Sequence, residues 1–270
     1  MAMNLYQYRF SNREGLIVQI GDGWGEIAPL PGFSKETLEE AKNEMLDYFN
    51  RGTAPTLPSV RWGLICAGKS YDPSPLSVSL CAFKKPFHGC THLKLKLGAL
   101  TLEEGIALVQ SYVGKYLLRI DCNRAWTLEQ ALTFAENFEA SDFDYFEEPV
   151  KSFADLVEFS KRTNFPIAID ESLREGLPYK EIPSVVAAVV KPMMMGGIPQ
   201  LDLPIVLSSS FETSLGILHI ARAASPTIPQ GLHTFADDLL TPPLQAHSGK
   251  LHASQHNIDI GKLCLIASRN

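Results

Sequence analysis

The sequence predicts an α/β protein: a (β/α)7β, TIM-like barrel with a shortened fifth crossover, plus a small N-terminal α+β capping domain. Two observations carry this. From residue 90 onward, short apolar runs alternate with amphipathic stretches, the rhythm of βα units around a parallel sheet. Within that rhythm, Lys96, Asp121, Glu147, Asp170 and Lys191 lie at the ends of the runs HLKLK, LLRID, DYFEE, PIAID and AAVVK. Their spacings of 25, 26, 23 and 21 residues are what a strand, a helix and two loops consume. Parallel barrel strands bring their last residues to one mouth, where catalytic groups collect.

Residues 1–88 fall outside the rhythm and form the expected capping domain. YQYRF and GLIVQI read as strands, and the Gly- and Pro-rich GWGEIAPLPGFS reads as a loop. Ser34 is placed to cap a helix over SKETLEEAKNEMLDYFN, with Glu36 in its positive first turn. A second helix fits LPSVRWGLICAG, and Pro73, Pro75 and Pro86 punctuate the link onward. The barrel is expected over 89–240 and a tail returning to the cap over 241–270.

In the barrel, HLKLKL, LLRIDCN, DYFEEPV, PIAIDES, AAVVKPM and PIVLSSS read as strands. Thr101, Thr127 and Ser152 precede helices as N-caps. LPYKEIPS is a weak helix, and MMGGIPQLDL is too short for a full one, so at most one turn is expected there. SFETSLGILHIARAA is a loop and helix, and GLHTF a last short strand.

The chain has 270 residues, 45% of them apolar, and a net charge of −6, enough to bury a sizeable core. It has no basic stripe, so no nucleic-acid partner is expected. The N-terminus has no apolar signal segment, and no run approaches the ~18 residues of a membrane span. Five cysteines without a CxxC suit a reduced, cytoplasmic chain. No feature specifies an oligomeric state.

Alternation along strands sorts the charged residues. Lys94 and Lys96 share one face of their strand, with Leu93, Leu95 and Leu97 on the other. Arg119, Asp121 and Asn123 share a face, and an ion pair of Arg119 with an aspartate is the purely structural reading of that strand. Glu147 and Glu148 point to opposite faces, and alternation alone does not choose between them; Asp170 and Glu171 pose the same ambiguity. Pro149 is expected to keep Glu148 extended.

Carboxylates without His or Cys favour Mg2+ or Mn2+ over zinc. Such an ion beside a lysine held neutral by partial burial suits proton abstraction α to a carboxylate, so a small-molecule carboxylate is the expected partner. Ser208, Ser209 and Ser210 end a strand, where their hydroxyls either bind a carboxylate or turn the chain into the next helix. His88, Cys90 and His92 lie at the start of the first barrel strand, away from the mouth, and His247, His252 and His256 lie in a polar tail that reads as solvated.

KLK, DCN, EEP, DES and KP, in that order, resemble the enolase superfamily in its muconate-lactonizing-like branch. GWGEIAPLPGFS and SSSFETSLG are similar to the o-succinylbenzoate synthase family within it. That resemblance implies Mg2+ ligands at Asp121, Glu147 and Asp170, with Glu147 chosen as the first Glu of EEP. It implies that Lys96 removes the α-proton and then protonates the departing hydroxyl, a syn dehydration yielding 2-succinylbenzoate for menaquinone. Lys191 would stabilise the enediolate, and Lys94 would touch the carboxylate and favour the neutral amine of Lys96. Asn123, Ser209 and Ser210 would contact substrate or its surroundings. An N-succinylamino acid racemase or dipeptide epimerase would use the same lysines. The chain departs from the pattern in a short N-terminal loop, a nearly absent fifth helix and His233 where many relatives have Asp.

Overall fold

The computed structural model describes residues 2–10, 13–70, 72–234 and 239–269. Strands β1 (Met3–Phe10), β2 (Arg13–Ile20) and β3 (Gly23–Ile27) form an antiparallel meander. GWGEI is therefore a strand, not the loop its glycines suggest. A Cβ on Gly25 would lie 1.9 Å from the Gly63 carbonyl oxygen, so the glycine lets β3 lie directly on a helix.

Helix α1 (Leu38–Arg51) begins later than expected. Its cap is Thr37, in a reciprocal box with Glu40, and not Ser34. The Ser34 hydroxyl instead accepts from Leu30 N–H. Glu36 is buried and accepts from Ser59 N–H, so it serves the first turn of α2 (Pro58–Ala67) rather than of α1. Apolar faces of both helices and the meander close a separate small core around Leu5, Leu16, Met45 and Val60.

Two short strands follow that the prolines concealed, β4 (Leu76–Ser79) and β5 (Ala82–Phe83). The βα series is β6 (His92–Lys96), α3 (Leu102–Gln110), β7 (Leu117–Asp121), α4 (Leu128–Ala135), β8 (Phe143–Glu147), α5 (Phe153–Thr163), β9 (Ile167–Ile169), α6 (Glu171–Arg174), β10 (Val185–Val190), α7 (Pro192–Met195), β11 (Ile205–Leu207) and α8 (Ser214–Ala223). Thr101, Thr127 and Ser152 cap their helices as expected. The fifth crossover is the single turn α7. The weak helix over LPYKEIPS is instead one 3-10 turn at Tyr179–Glu181.

Strands β5 to β11 form one seven-stranded sheet with parallel pairings throughout. Gln230 and Gly231 join its two edges, pairing with Leu80 on one side and Ser208 on the other. The last strand position is thus these two residues, overlapping GLHTF at its first residue, Gly231; Phe235 of that segment lies outside the described residues.

In the tail are β12 (Leu240–Thr241), β13 (Gln245–His247), β14 (Lys250–Ala253), β15 (Asn257–Ile258) and β16 (Cys264–Arg269). β16 pairs with β1, and β14 with β4. His256 is buried, not solvated: its Nδ1 meets the Pro242 carbonyl at 2.5 Å, and its Nε2 accepts from Ser254 N–H. No helix among the described residues is long and apolar enough to cross a membrane.

Cap and barrel meet at a seam containing two buried carboxyls, Glu26 on β3 and Glu212 before α8. Burial pushes Glu212 from its ordinary 4.5 up to about 7, and Glu26 beside it adds to the effect. The folded chain thus binds this proton more tightly than the unfolded chain. Stability from this group is full below 4.5 and is lost as pH rises through about 7. We expect the Tm of the unaltered protein to fall from pH 5 to pH 8 relative to Glu212→Gln, by roughly 5 °C or more. Parallel pH–Tm curves for the two proteins would contradict the assignment.

Candidate active site

Sheet register brings the sequence-predicted residues to one level. Lys96 pairs with Asp121, Asp121 with Glu147, and Glu147 with Ala168 across four neighbouring strands. One layer below, Lys94, Arg119 and Tyr145 form a second row. The Glu147/Glu148 ambiguity is decided by Phe146. Its ring packs outward among Phe134, Phe143, Phe159 and Phe165, so Tyr145 and Glu147 face the barrel interior.

Asp121, Glu147 and Asp170 are 1–2% exposed. Lys94 Nζ bridges the first two, 2.9 Å from Asp121 Oδ2 and 2.6 Å from Glu147 Oε2. Lys191 Nζ contacts Asp170 Oδ2 and lies 3.9 Å from Glu147 Oε1. Burial opposes the charge on both lysines, but the facing carboxylates outweigh it and hold both ammonium pKa values up. Burial works against both anions, yet Lys94 and then Lys96 hold Asp121, and Lys191 and then Arg174 hold Asp170, below the usual carboxylate range. Glu147 is the exception: burial, with Asp121 and Asp170 beside it, pushes it up to about 7.

Lys96 stands apart. Its nearest partner is the neutral Asn123 Oδ1 at 3.0 Å, and Asp121 Oδ2 is 3.6 Å away. Asn123 adopts a left-handed φ of 47° and donates its N–H to Asp121 Oδ1. Asp170, not Glu171, is the inward carboxylate of its pair: it is buried and meets Lys191, and Arg174 lies 3.1 Å from Asp170 and 3.4 Å from Glu171.

Glu148 is not extended. It takes φ 41°, β8 ends at Glu147, and the Glu148 carboxylate turns under the loops. There it accepts from the N–H groups of Asp170 and Ser172, the Ser172 hydroxyl and Arg124 Nε. This buried acceptor pins the strand end that presents Asp170, and it outweighs the pre-proline preference. Arg119 forms the structural ion pair, with Asp144 at 2.7 Å, and stacks over Tyr145.

A cavity of about 70 Å3 opens above this floor, lined by Lys94, Lys96, Asp121, Lys191, Tyr145 and Ser209 among others. Ser208 also lines it, whereas Ser210 does not. Ser210 is buried below, its N–H donated to Glu212 Oε2 at 2.5 Å. The Ser209 hydroxyl bonds that of Thr234. His233 lines the rim and packs on Phe87 at 4.3 Å. Tyr145, Phe211 and Thr234 were missed by sequence reasoning; alternation places Tyr145 inward, while the other two lie on loops without a period.

Among the described residues, no three His, Cys, Asp or Glu side chains form a ready metal-binding group. Two ammonium groups sit among the carboxylates instead. The donor chemistry nevertheless fits a hard divalent ion. The side chains offer only oxygens, and Glu147 Oε1 is buried with no hydrogen-bond partner. A divalent ion would compete with Lys94 and Lys191 for the same oxygens.

The chain matches the family model for the enolase C-terminal-like domain over residues 84–257 and that for the MenC N-terminal domain over residues 2–71. It is 35% identical to an o-succinylbenzoate synthase of Klebsiella pneumoniae, covering 86% of each chain. It is 33% identical to that of Haemophilus influenzae, covering 86% of this chain and 89% of the other. Among solved structures, muconate cycloisomerase from Pseudomonas fluorescens superposes with a TM-score of 0.73 at 15% identity, covering 96% of each chain. A dipeptide epimerase from Enterococcus faecalis gives 0.72 at 17% identity, covering 97% of this chain and 98% of the other. These last two likenesses speak for the fold alone, whereas the family models and close relatives reach further: this chain belongs to the enolase superfamily and, within it, to the o-succinylbenzoate synthase family.

Proposed function

We propose that this protein is an o-succinylbenzoate synthase, a hydro-lyase that dehydrates 2-succinyl-6-hydroxy-2,4-cyclohexadiene-1-carboxylate to 2-succinylbenzoate in menaquinone biosynthesis. The observation that carries this reading is the division of labour among the lysines. Lys94 and Lys191 are pinned as ammonium ions between buried carboxylates. Lys96 faces the cavity with a neutral amide as its nearest partner. That its relatives are named o-succinylbenzoate synthase supports reading this amine as the base of that reaction.

Lys96 takes the proton α to the ring carboxylate, and the C–H electron pair enters the enediolate. The same amine, now protonated, returns the proton to the 6-hydroxyl as its C–O bond breaks. Water leaves from the face the proton left, and the ring becomes aromatic. Lys191 lies across the site and opposes the negative charge that builds on the enediolate oxygens. Lys94 orients the floor carboxylates and meets the substrate carboxylate. The fixed charge on Lys191 suits electrostatic stabilisation better than the alternating proton exchange of a racemase.

A divalent cation, Mg2+ with Mn2+ as a substitute, would be held by Asp121, Glu147 and Asp170 and would neutralise the substrate carboxylate so that its α-proton becomes acidic. Residues 1–88 and the returning tail act as a cap over this mouth, a role supported by the Arg13 bonds to the Ser210 and Phe211 carbonyls. Five cysteines without a disulfide among them accord with the cytoplasm.

Lys96→Ala should lower turnover by ~10²–10⁴-fold or more while leaving the circular dichroism spectrum unchanged. Near-normal dehydration by that variant would reject Lys96 as the base. Dialysis against EDTA should abolish turnover and added Mg2+ should restore it; undiminished activity in chelator would rule out the metal.

A further inference from the structure

The GWGEI and SFETSLG segments contain none of the groups that move protons, yet the fold brings them into contact at one carboxylate. Glu26 Oε1 accepts from the Tyr8 hydroxyl at 2.6 Å. Its Oε2 accepts from the Thr213 hydroxyl at 2.7 Å and from Gly216 N–H at 3.1 Å. Thr213 N–H donates to both oxygens, each at 3.1 Å. Thr213 is the N-cap of α8, yet its own side chain makes no cap bond to the helix. The carboxyl that caps it comes from the other domain, 187 residues earlier in the chain; burial raises its pKa, and the Tyr8 and Thr213 donors favour its charged form.

The packing is built for this reach. A Cβ on Gly216 would lie 2.4 Å from Glu26 Oε2 and 2.6 Å from Glu212 Cβ. Arg13 reinforces the contact from the same cap: its Nη2 donates to Ala28 and Ser210 carbonyls and its Nε to that of Phe211. The gripped segment, Ser208–Phe211, forms one wall of the catalytic cavity through Ser208, Ser209 and Phe211. Phe211 holds a left-handed φ of 62°, a conformation a bulky residue keeps only when its surroundings impose it.

That wall also leads outward. The catalytic cavity holds about 70 Å3, small for a ring carrying a four-carbon acid. A wider groove of about 1220 Å3 between cap and barrel shares Phe211 and Thr234 with it. Phe211 and Thr234 are thus the boundary that the side chain of a substrate seated over Lys96 would have to pass to reach the groove.

We propose that Glu26 is a positioning residue. By capping α8 from the other domain it fixes the Ser208–Phe211 wall, and so sets affinity for the substrate's side chain without touching the proton-transfer groups. The inference rests on the dehydratase reading above and adds a determinant of binding to it.

The test compares the unaltered protein with Glu26→Gln, which keeps the shape and removes the charge. Steady-state dehydration gives kcat and KM, calorimetry gives the Kd for 2-succinylbenzoate, and a melt gives Tm. We expect KM and the product Kd each to rise ~10-fold, with kcat within about threefold. Glu26→Asp, which restores the charge on a shorter stem, should recover part of the loss. A lowered Tm with KM and Kd unchanged would overturn the proposal, leaving Glu26 merely structural, as would a loss confined to kcat. Should Glu26→Gln fail to fold, Thr213→Val removes the hydroxyl donor from the other side of the same contact, leaving the backbone N–H in place, and carries the same direction of change and the same overturning result. No dehydration by the unaltered protein would sink the functional reading; normal dehydration with an indifferent Glu26→Gln sinks this inference alone.

Discussion

Buried carboxylates need compensating charge, and that need organises the barrel mouth. Asp121, Glu147 and Asp170 are almost fully removed from water. Isolated there, each would be strongly disfavoured as an anion. Lys94 and Lys191 resolve this by lying between them. Arg174 and Lys96 add charge beside Asp170 and Asp121, so Glu147 is the carboxylate compensated least: burial pushes it up to about 7, and its Oε1 has no hydrogen bond. A site in that condition is suited to a divalent ion and to a substrate whose negative charge grows during reaction. Lys96, outside the strongest pairings, is the amine left to work.

The arrangement depends on support one layer out. Phe146 anchors β8 among other phenylalanines and so turns Glu147 inward. Glu148, in a conformation that pre-proline residues avoid, ties the end of β8 to the loop carrying Asp170 and Ser172. Across the seam, Glu26 and Arg13 hold the wall that closes the cavity. Charge balance sets the floor, and the cap sets the wall.

Much of this was legible in the amino-acid order because strand alternation and βα spacing are periodic. Lys94 and Lys96 opposite Leu93 and Leu95 needed only a period of two. The short fifth crossover followed from chain length. What escaped depends on contacts without a period. Gly23 and Gly25 read as loop residues, but the approach of α2 makes them strand residues. Ser34 and Thr37 are equally good caps by type, and Glu40 three residues after Thr37 decides between them. β4 and β5 are too short to show alternation and are flanked by prolines. His256 sits in a polar tail, where no period signals that it is buried against the Pro242 carbonyl and Ser254 N–H. Ser210 and Ser208 are interchangeable in sequence until the turn toward Glu212 takes Ser210 out of the cavity.

Soaking crystals in Mn2+ and recording anomalous diffraction tests the heart of this account. It predicts a single strong peak bounded by oxygens of Asp121, Glu147 and Asp170, with the Lys94 and Lys191 amines displaced from between them. A saturating soak that leaves both lysines bridging the carboxylates, with no peak at the mouth, would contradict it.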